Sequence, residues 1–203
     1  MPITNGYCTL NEFKERFYPT DASDDLADDK TIEAVITSVS REIDGYCQRR
    51  FWKNTVNEVR YFTSKWGNLL EAADVVSITG VATDSAGDRL YSTIFTATDY
   101  DLEPYNAVLD GVPYTRLRIT PNSSRAFLTS QRGNKLTGVF GWPSVPAEVK
   151  EACLIQSIRL FKRKDAPFGV MGSMEMGQIM AITKLDPDVQ LLLEPYVKNK
   201  VIW

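Results

Sequence analysis

Histidine, the side chain most often found at catalytic and zinc centres, is absent from all 203 residues. Its absence removes the commonest general base, the commonest zinc ligand and the usual activator of a serine or cysteine nucleophile. The chemistry left is that of carboxylates, thiols and cations. Asp84, Asp88, Asp99, Asp101 and Glu103 lie close in sequence and raise the question of a calcium loop or an acid–base pair. The D-S-A-G-D run at 84–88 lacks the ligand spacing of a calcium loop. Asp99 and Asp101 are expected on one strand face without a matching partner, so turn and surface roles are expected for the group. Cys8, Cys47 and Cys153 are odd in number and far apart, which fits buried thiols in a reducing compartment better than a disulfide framework. Gly138, Gly141 and the glycines at 169–177 form neither G-x-G-x-x-G nor a phosphate loop ending in Gly-Lys-Ser/Thr. No enzyme activity, cofactor or metal is expected.

Cations beside rings are the other candidate chemistry. Arg49, Arg50, Phe51 and Trp52 follow a helical stretch; such residues either end a helix, whose C-terminus favours cations, or bind single-stranded nucleic acid. A formal net charge of -3 argues against a chain whose main task is coating nucleic acid. A second basic group, Arg159, Lys162, Arg163 and Lys164, precedes a glycine-proline stretch containing Phe168, Val170, Met171, Met174 and Met176. Flexible methionines adapt to a partner's apolar surface. Asp21, Asp24, Asp25, Asp28 and Asp29 form an acidic counterpart, read as a linker and helix start.

The elements that would position these groups follow from periodicity. Thr9 with Glu12 is a capping-box pattern opening a short helix with Leu10, Phe13 and Phe17 on one side, ended by Pro19. Ile32, Val35, Ile36, Val39, Ile43, Tyr46 and Cys47 recur at helical spacing and predict a helix over 31–47. The period then changes. Segments 56–62, 75–81, 90–97, 114–119 and 136–140 read as five or so strands separated by turn residues at 85–88, 110–111 and 121–123. Pro146 and Glu148 suit a first helical turn, and Val149, Ala152, Cys153, Leu154, Ile155, Gln156, Ile158, Leu160 and Phe161 supply an unusually broad apolar face. Asp186 and Pro187 start a closing helix that docks Val189, Leu192 and Leu193, and Val201, Ile202 and Trp203 leave an apolar tail.

The predicted fold class is α+β: a small helical bundle core with a β-rich antiparallel insertion between the second helix and the long C-terminal helix. Residues 1–54 and 142–203 form the core and 55–141 the insertion, within a single structural domain. No run approaches the roughly 18 apolar residues of a membrane helix, and the first residues lack the features of a secretory signal.

Five motifs in order, R-E-I-D-G-Y-C at 41–47, R-R-F-W at 49–52, G-W-P-S-V-P-A-E-V-K-E-A-C at 141–153, R-L-F-K-R-K-D-A-P-F-G-V at 159–170 and L-D-P-D-V-Q-L-L-L-E-P-Y at 185–196, resemble the head-tail connector, or adaptor, family of tailed bacteriophages and proviruses. The resemblance implies a virion structural protein, made in the host bacterial cytoplasm and located in the virion neck. It implies a ring homo-oligomer, commonly dodecameric, under the portal protein, contacting a tail or neck protein and continuing the channel through which DNA passes without sequence-specific binding. No membrane is implied. Short family members are nearly all helical, so the β-rich section is the departure. On this reading Arg159, Lys162, Arg163, Lys164, Phe168, Val170, Met171, Met174 and Met176 face the portal or a neighbour, with Asp24, Asp25 and Asp28 as the opposite charge. The alternative is a nucleic-acid-binding module using Arg49, Arg50 and Trp52.

Overall fold

The computed structural model describes residues 2–18, 26–163 and 185–198. In chain order the elements are α1 (Leu10–Phe17), α2 (Leu26–Cys47), β1 (Glu58–Phe62), β2 (Leu69–Thr83), β3 (Thr93–Phe95), β4 (Tyr100–Glu103), α3 (Ala107–Asp110), β5 (Tyr114–Ile119), β6 (Asn134–Phe140), α4 (Ala147–Lys162), α5 (Pro187–Leu193) and a 3-10 turn, Glu194–Tyr196. The chain is α+β and divides into two compact units: a helical unit from 1–49 and 145–203, and a sheet unit from 50–144.

In the helical unit, α1 begins as its capping box dictates. The Thr9 hydroxyl accepts from the Glu12 N–H at 3.2 Å and the Glu12 carboxylate accepts from the Thr9 N–H at 2.9 Å. Two of the four orphan donors of the helix start are thereby satisfied. α2 begins earlier than the apolar period predicts, because Asp28 and Asp29 lie in its first turn, where carboxylates favour the positive end of the helix dipole. Ile32, Ile36, Val39 and Ile43 of α2 and Val149, Ala152 and Cys153 of α4 are buried, and the two helices pack on one another. The fully buried Phe13 stacks on Phe17 at 5.7 Å and meets Phe161 edge-on at 5.5 Å, the geometry that ring quadrupoles favour. α5 docks on α4 through Val189 and Leu193.

The sheet unit is antiparallel, in the order β1-β6-β2-β5-β4, with β3 beside β2. β2 runs for fifteen residues and serves three partners. Along one edge its first part pairs β5 and its last part pairs β3; along the other it pairs β6 from Val75 to Thr83. Register shifts between Glu71 and Val75, Val75 and Ser77, and Ile78 and Gly80 break the alternation of its side chains, as bulges do. Its core comprises Leu70, Val75, Val81, Phe95, Leu117, Phe127, Leu136 and Phe140. Residues outside the strands belong to the same body: Phe51 packs on Trp142 at 5.2 Å, Trp142 Nε1 donates to Asp74 at 3.2 Å, and the Asn54 N–H donates to the Phe140 carbonyl at 3.0 Å.

The sheet differs from the sequence expectation in three ways. It has six strands; β4 escapes a propensity reading because Asp101 and Glu103 disfavour strands, and its stability comes from across the ladder, where Glu103 meets Arg118 at 2.5 Å and Arg116 at 3.4 Å. The predicted segment 75–81 extends to Leu69–Thr83, while 90–97 shrinks to Thr93–Phe95. Asp99 does not share a strand face with Asp101: it precedes β4 and closes a turn, accepting from the Thr96 N–H at 2.7 Å and the Ser123 hydroxyl at 2.6 Å. Those bonds, Ser123 first, hold its carboxyl below the usual range.

The three thiols are free and buried. Cys8 and Cys153 lie 3.5 Å apart, with the Ser40 hydroxyl 3.6 Å from Cys153. The bond to Cys153 and burial push the Cys8 thiol far up, and burial raises Cys47 to about 11. The same bond to Cys8 lowers the Cys153 thiol to about 7, so its protection is burial. Because all three thiols are buried, native protein at pH 8 is expected to react only slowly with a disulfide reagent such as DTNB, while denatured protein releases all three equivalents; a stoichiometric fast phase in the native state would contradict this.

Gly141 adopts φ +117°, and a Cβ there would overlap the Trp52 carbonyl oxygen. Gly141→Ala is expected to cost the sheet unit roughly 2 kcal/mol or more, read as a lowered urea midpoint.

Candidate functional site

The basic end of α4 is the predicted site that falls largely on described residues. Helix periodicity sends its three described cations to different fates. Arg159 turns toward α5: its guanidinium meets the Asp186 carboxylate at 2.7 Å, both side chains about a quarter exposed. Asp186 already works as the N-cap of α5, accepting from the Asp188 N–H at 3.0 Å. Its two oxygens thus hold one helix start and one helix face. Lys162, exposed, holds its ammonium 5.6 Å from the Phe17 ring of α1. Arg163 caps α4, its N–H bonded to the Leu160 and Phe161 carbonyls. Its side-chain Nε is shielded and has no hydrogen-bond partner among the described residues.

The acidic group is only partly visible. Asp28 lies in the first turn of α2, and its neighbour Asp29 pairs with Lys14 of α1 at 2.6 Å. Because α1 touches α4 through Phe17 and Phe161 at 5.5 Å, the acidic start of α2 and the basic end of α4 approach one end of α1. Lys164, Phe168, Val170, Met171, Met174, Met176, Asp24 and Asp25 lie outside the described residues.

Charges on the opposite reach of α4 are mutually engaged. Lys150 pairs with Glu12, Glu151 meets Arg16 at 2.7 Å, and Tyr196 donates to Glu148 at 2.7 Å. Glu12, Arg16, Lys150 and Glu151 line an open groove with Glu15, Ala147 and Leu154. Burial and that bond to Glu148 raise the Tyr196 phenol to about 12.

Of the second predicted cation group, Arg50 is occupied within the sheet unit. Arg50 stacks on Trp52 at 4.1 Å, bonds Asn54 and lies 3.6 Å from Glu58. A guanidinium so engaged does not offer its fork to a phosphate, which disfavours the nucleic-acid reading of Arg49, Arg50 and Trp52. The carboxylates of the sheet are likewise structural: Asp84 accepts from the Arg89 N–H at 3.2 Å, and Glu103 lies between two arginines. No group of three metal-ligating side chains occurs among the described residues, and no described helix is long and apolar enough to cross a membrane.

No family model and no curated protein matches the sequence. Solved structures do. A chain in the neck of an empty gene transfer agent particle, computed with C6 symmetry, is 15% identical with a TM-score of 0.56 over 100% of this chain and 95% of its own length. The fold is shared with a gene transfer agent neck. A chain in the virion of the native particle is 16% identical with a TM-score of 0.57 and the same coverage of both chains. The likeness extends through both units, so the β-rich section, the departure from short connector proteins, has a counterpart in these structures.

Sequence reasoning missed the surface features of the sheet unit: the exposed apolar residues around α3, and the cations beside Tyr61, which become its neighbours only through the pairing of β1 with β6 and the loop before it. It also missed the partnership of Arg159 and Asp186, to which the adjacent capping pattern Asp186-Pro187 is the only local clue. Asp186→Ala, which loses cap and ion pair, is expected to cost about 2 kcal/mol, and Arg159→Ala about 1 kcal/mol. Amide exchange across α5 would measure both; equal, unchanged protection in the two variants would refute this division.

Proposed function

We propose that the chain is a structural protein of the neck of a tailed-phage-type particle, a head-tail connector that assembles as a ring under the portal and continues the DNA channel toward the tail. The observation that carries this reading is the shared fold, over the full chain, with a neck chain of a gene transfer agent particle. The C6 symmetry of that structure supports a ring, in which each subunit offers one patch and receives another. The missing histidine and the structural engagement of the sheet carboxylates support a role without catalysis.

Within the ring, Lys162, Arg163 and Lys164 with Phe168, Val170, Met171, Met174 and Met176 are the surface for the portal or a neighbour, and Asp24, Asp25 and Asp28 its complement. Arg159 belongs instead to the fold. The net negative charge keeps passing DNA from being gripped, since carboxylates repel phosphates.

Electron microscopy of particles made without this protein tests the role: filled heads that fail to join tails are expected, and normally joined particles would refute it. Lys162→Glu with Arg163→Glu is expected to lower joined particles about tenfold or more while the purified chain keeps its helical circular dichroism; full joining would remove the basic end from the interface.

A further inference from the structure

We propose that the sheet unit carries its own subunit contact, in which the α3 tip of one copy packs on the Tyr61, Arg132 and Lys135 face of the next. The proposal rests on the ring reading above and supplies a role for the section that short connectors lack.

The donor patch is the turn between β4 and β5. Tyr105, Val108 and Leu109 are 65%, 71% and 86% exposed, three large apolar side chains within five positions. The backbone beneath them is well bonded: the Leu109 and Asp110 N–H groups donate to the Asn106 carbonyl at 2.9 and 3.0 Å, and the Val112 N–H returns to Ala107 at 3.0 Å. Gly111, at φ +66°, closes the turn. A tip this well bonded loses little conformational freedom on docking, and a contiguous exposed apolar patch marks an interaction surface. Asp110 adds a negative charge with no cationic partner among the described residues.

The acceptor patch lies toward the other edge of the sheet, where β1 is the terminal strand as β4 is at the first edge. Val59 and Tyr61, 50% and 42% exposed, stand opposite Thr137 and Lys135 of β6. Arg132 lies over Tyr61 at 4.6 Å, Lys135 over Tyr91 at 5.4 Å, and the two tyrosine rings are 5.3 Å apart. Neither Arg132 nor Lys135 has a carboxylate partner among the described residues. Arg89 approaches through the Gln131 and Arg132 carbonyls, and its own acid, Asp84, is buried. Glu58 is engaged by Arg60 at 2.9 Å. The acceptor is thus apolar with excess positive charge; the donor is apolar with excess negative charge. Different patches at opposite edges make a head-to-tail contact, the kind that closes a ring. A nucleic acid would also suit cations beside tyrosines, but would leave the α3 tip without a role.

The test uses the full chain in two versions, Leu109→Cys and Val59→Cys, in which the native thiols stay buried. Treated together with a short bismaleimide, they are expected to give a cross-linked dimer, whereas each version alone gives little. Adding Asp110→Arg or Arg132→Asp to both should lower the yield about tenfold, and adding the two together should restore it. No mixed cross-link at the highest soluble concentration, or equal yield with either single charge change, overturns the proposal. Absence of the cross-link with salt-sensitive oligonucleotide binding that Arg132→Asp abolishes overturns it in favour of nucleic acid. Particles that need the protein for joining while the cross-link is absent would leave the neck role standing and remove only this contact; normal particles with a strong cross-link would do the reverse.

Discussion

Close approach along α4 sets the terms for the helical unit. One helix of sixteen residues packs against α1, α2 and α5, and it does so with small and weakly polar side chains at the contacts: Ala152, Cys153 and Ser157 are buried beside Val149 and Phe161. Larger residues there would hold its partners apart; interiors packed to crystal-like density tolerate little added volume. At the contact of α2 with α4 the buried Ser40 hydroxyl is satisfied locally, donating to the Ile36 carbonyl at 2.7 Å and accepting from the Tyr7 N–H at 3.1 Å, so close packing there carries no large desolvation cost.

The sheet unit meets its constraint with backbone. β2 pairs along one edge first with β5 and then with β3, and along the other with β6, changing partner across register shifts without ending. Gly138 of β6, opposite Ile78, allows the close approach there: a Cβ would collide with the Ser77 carbonyl oxygen. A unit whose interior is held by backbone pairing leaves loops such as 104–113 free to carry surface chemistry.

What the sequence disclosed depended on how local the physics was. The capping box at Thr9, the Asp186-Pro187 start and strand Tyr114–Ile119 are encoded within a few residues and were legible to the residue. The first turn of α2 was not, because aspartates suit a helix start and a linker equally. The length of β2 was hidden by bulges that break its alternation, and β4 by carboxylates whose partners, Arg116 and Arg118, come from the next strand. The candidate site was legible as a basic helix end but not in its division of labour: only the fold shows that Arg159 faces Asp186 while Lys162 lies over Phe17 and Arg163 caps the helix.

The two oxygens of Asp186 bear on how such a chain evolves. The start of α5 is fixed by a cap and by Arg159, two anchors that lie outside the 21 residues between Arg163 and Leu185. Lengthening a connection costs only about 0.6 kcal/mol per doubling when its ends are held. That stretch can therefore be rewritten to match a new partner while the helices on either side stay put, so adaptation to a different particle needs no redesign of the core.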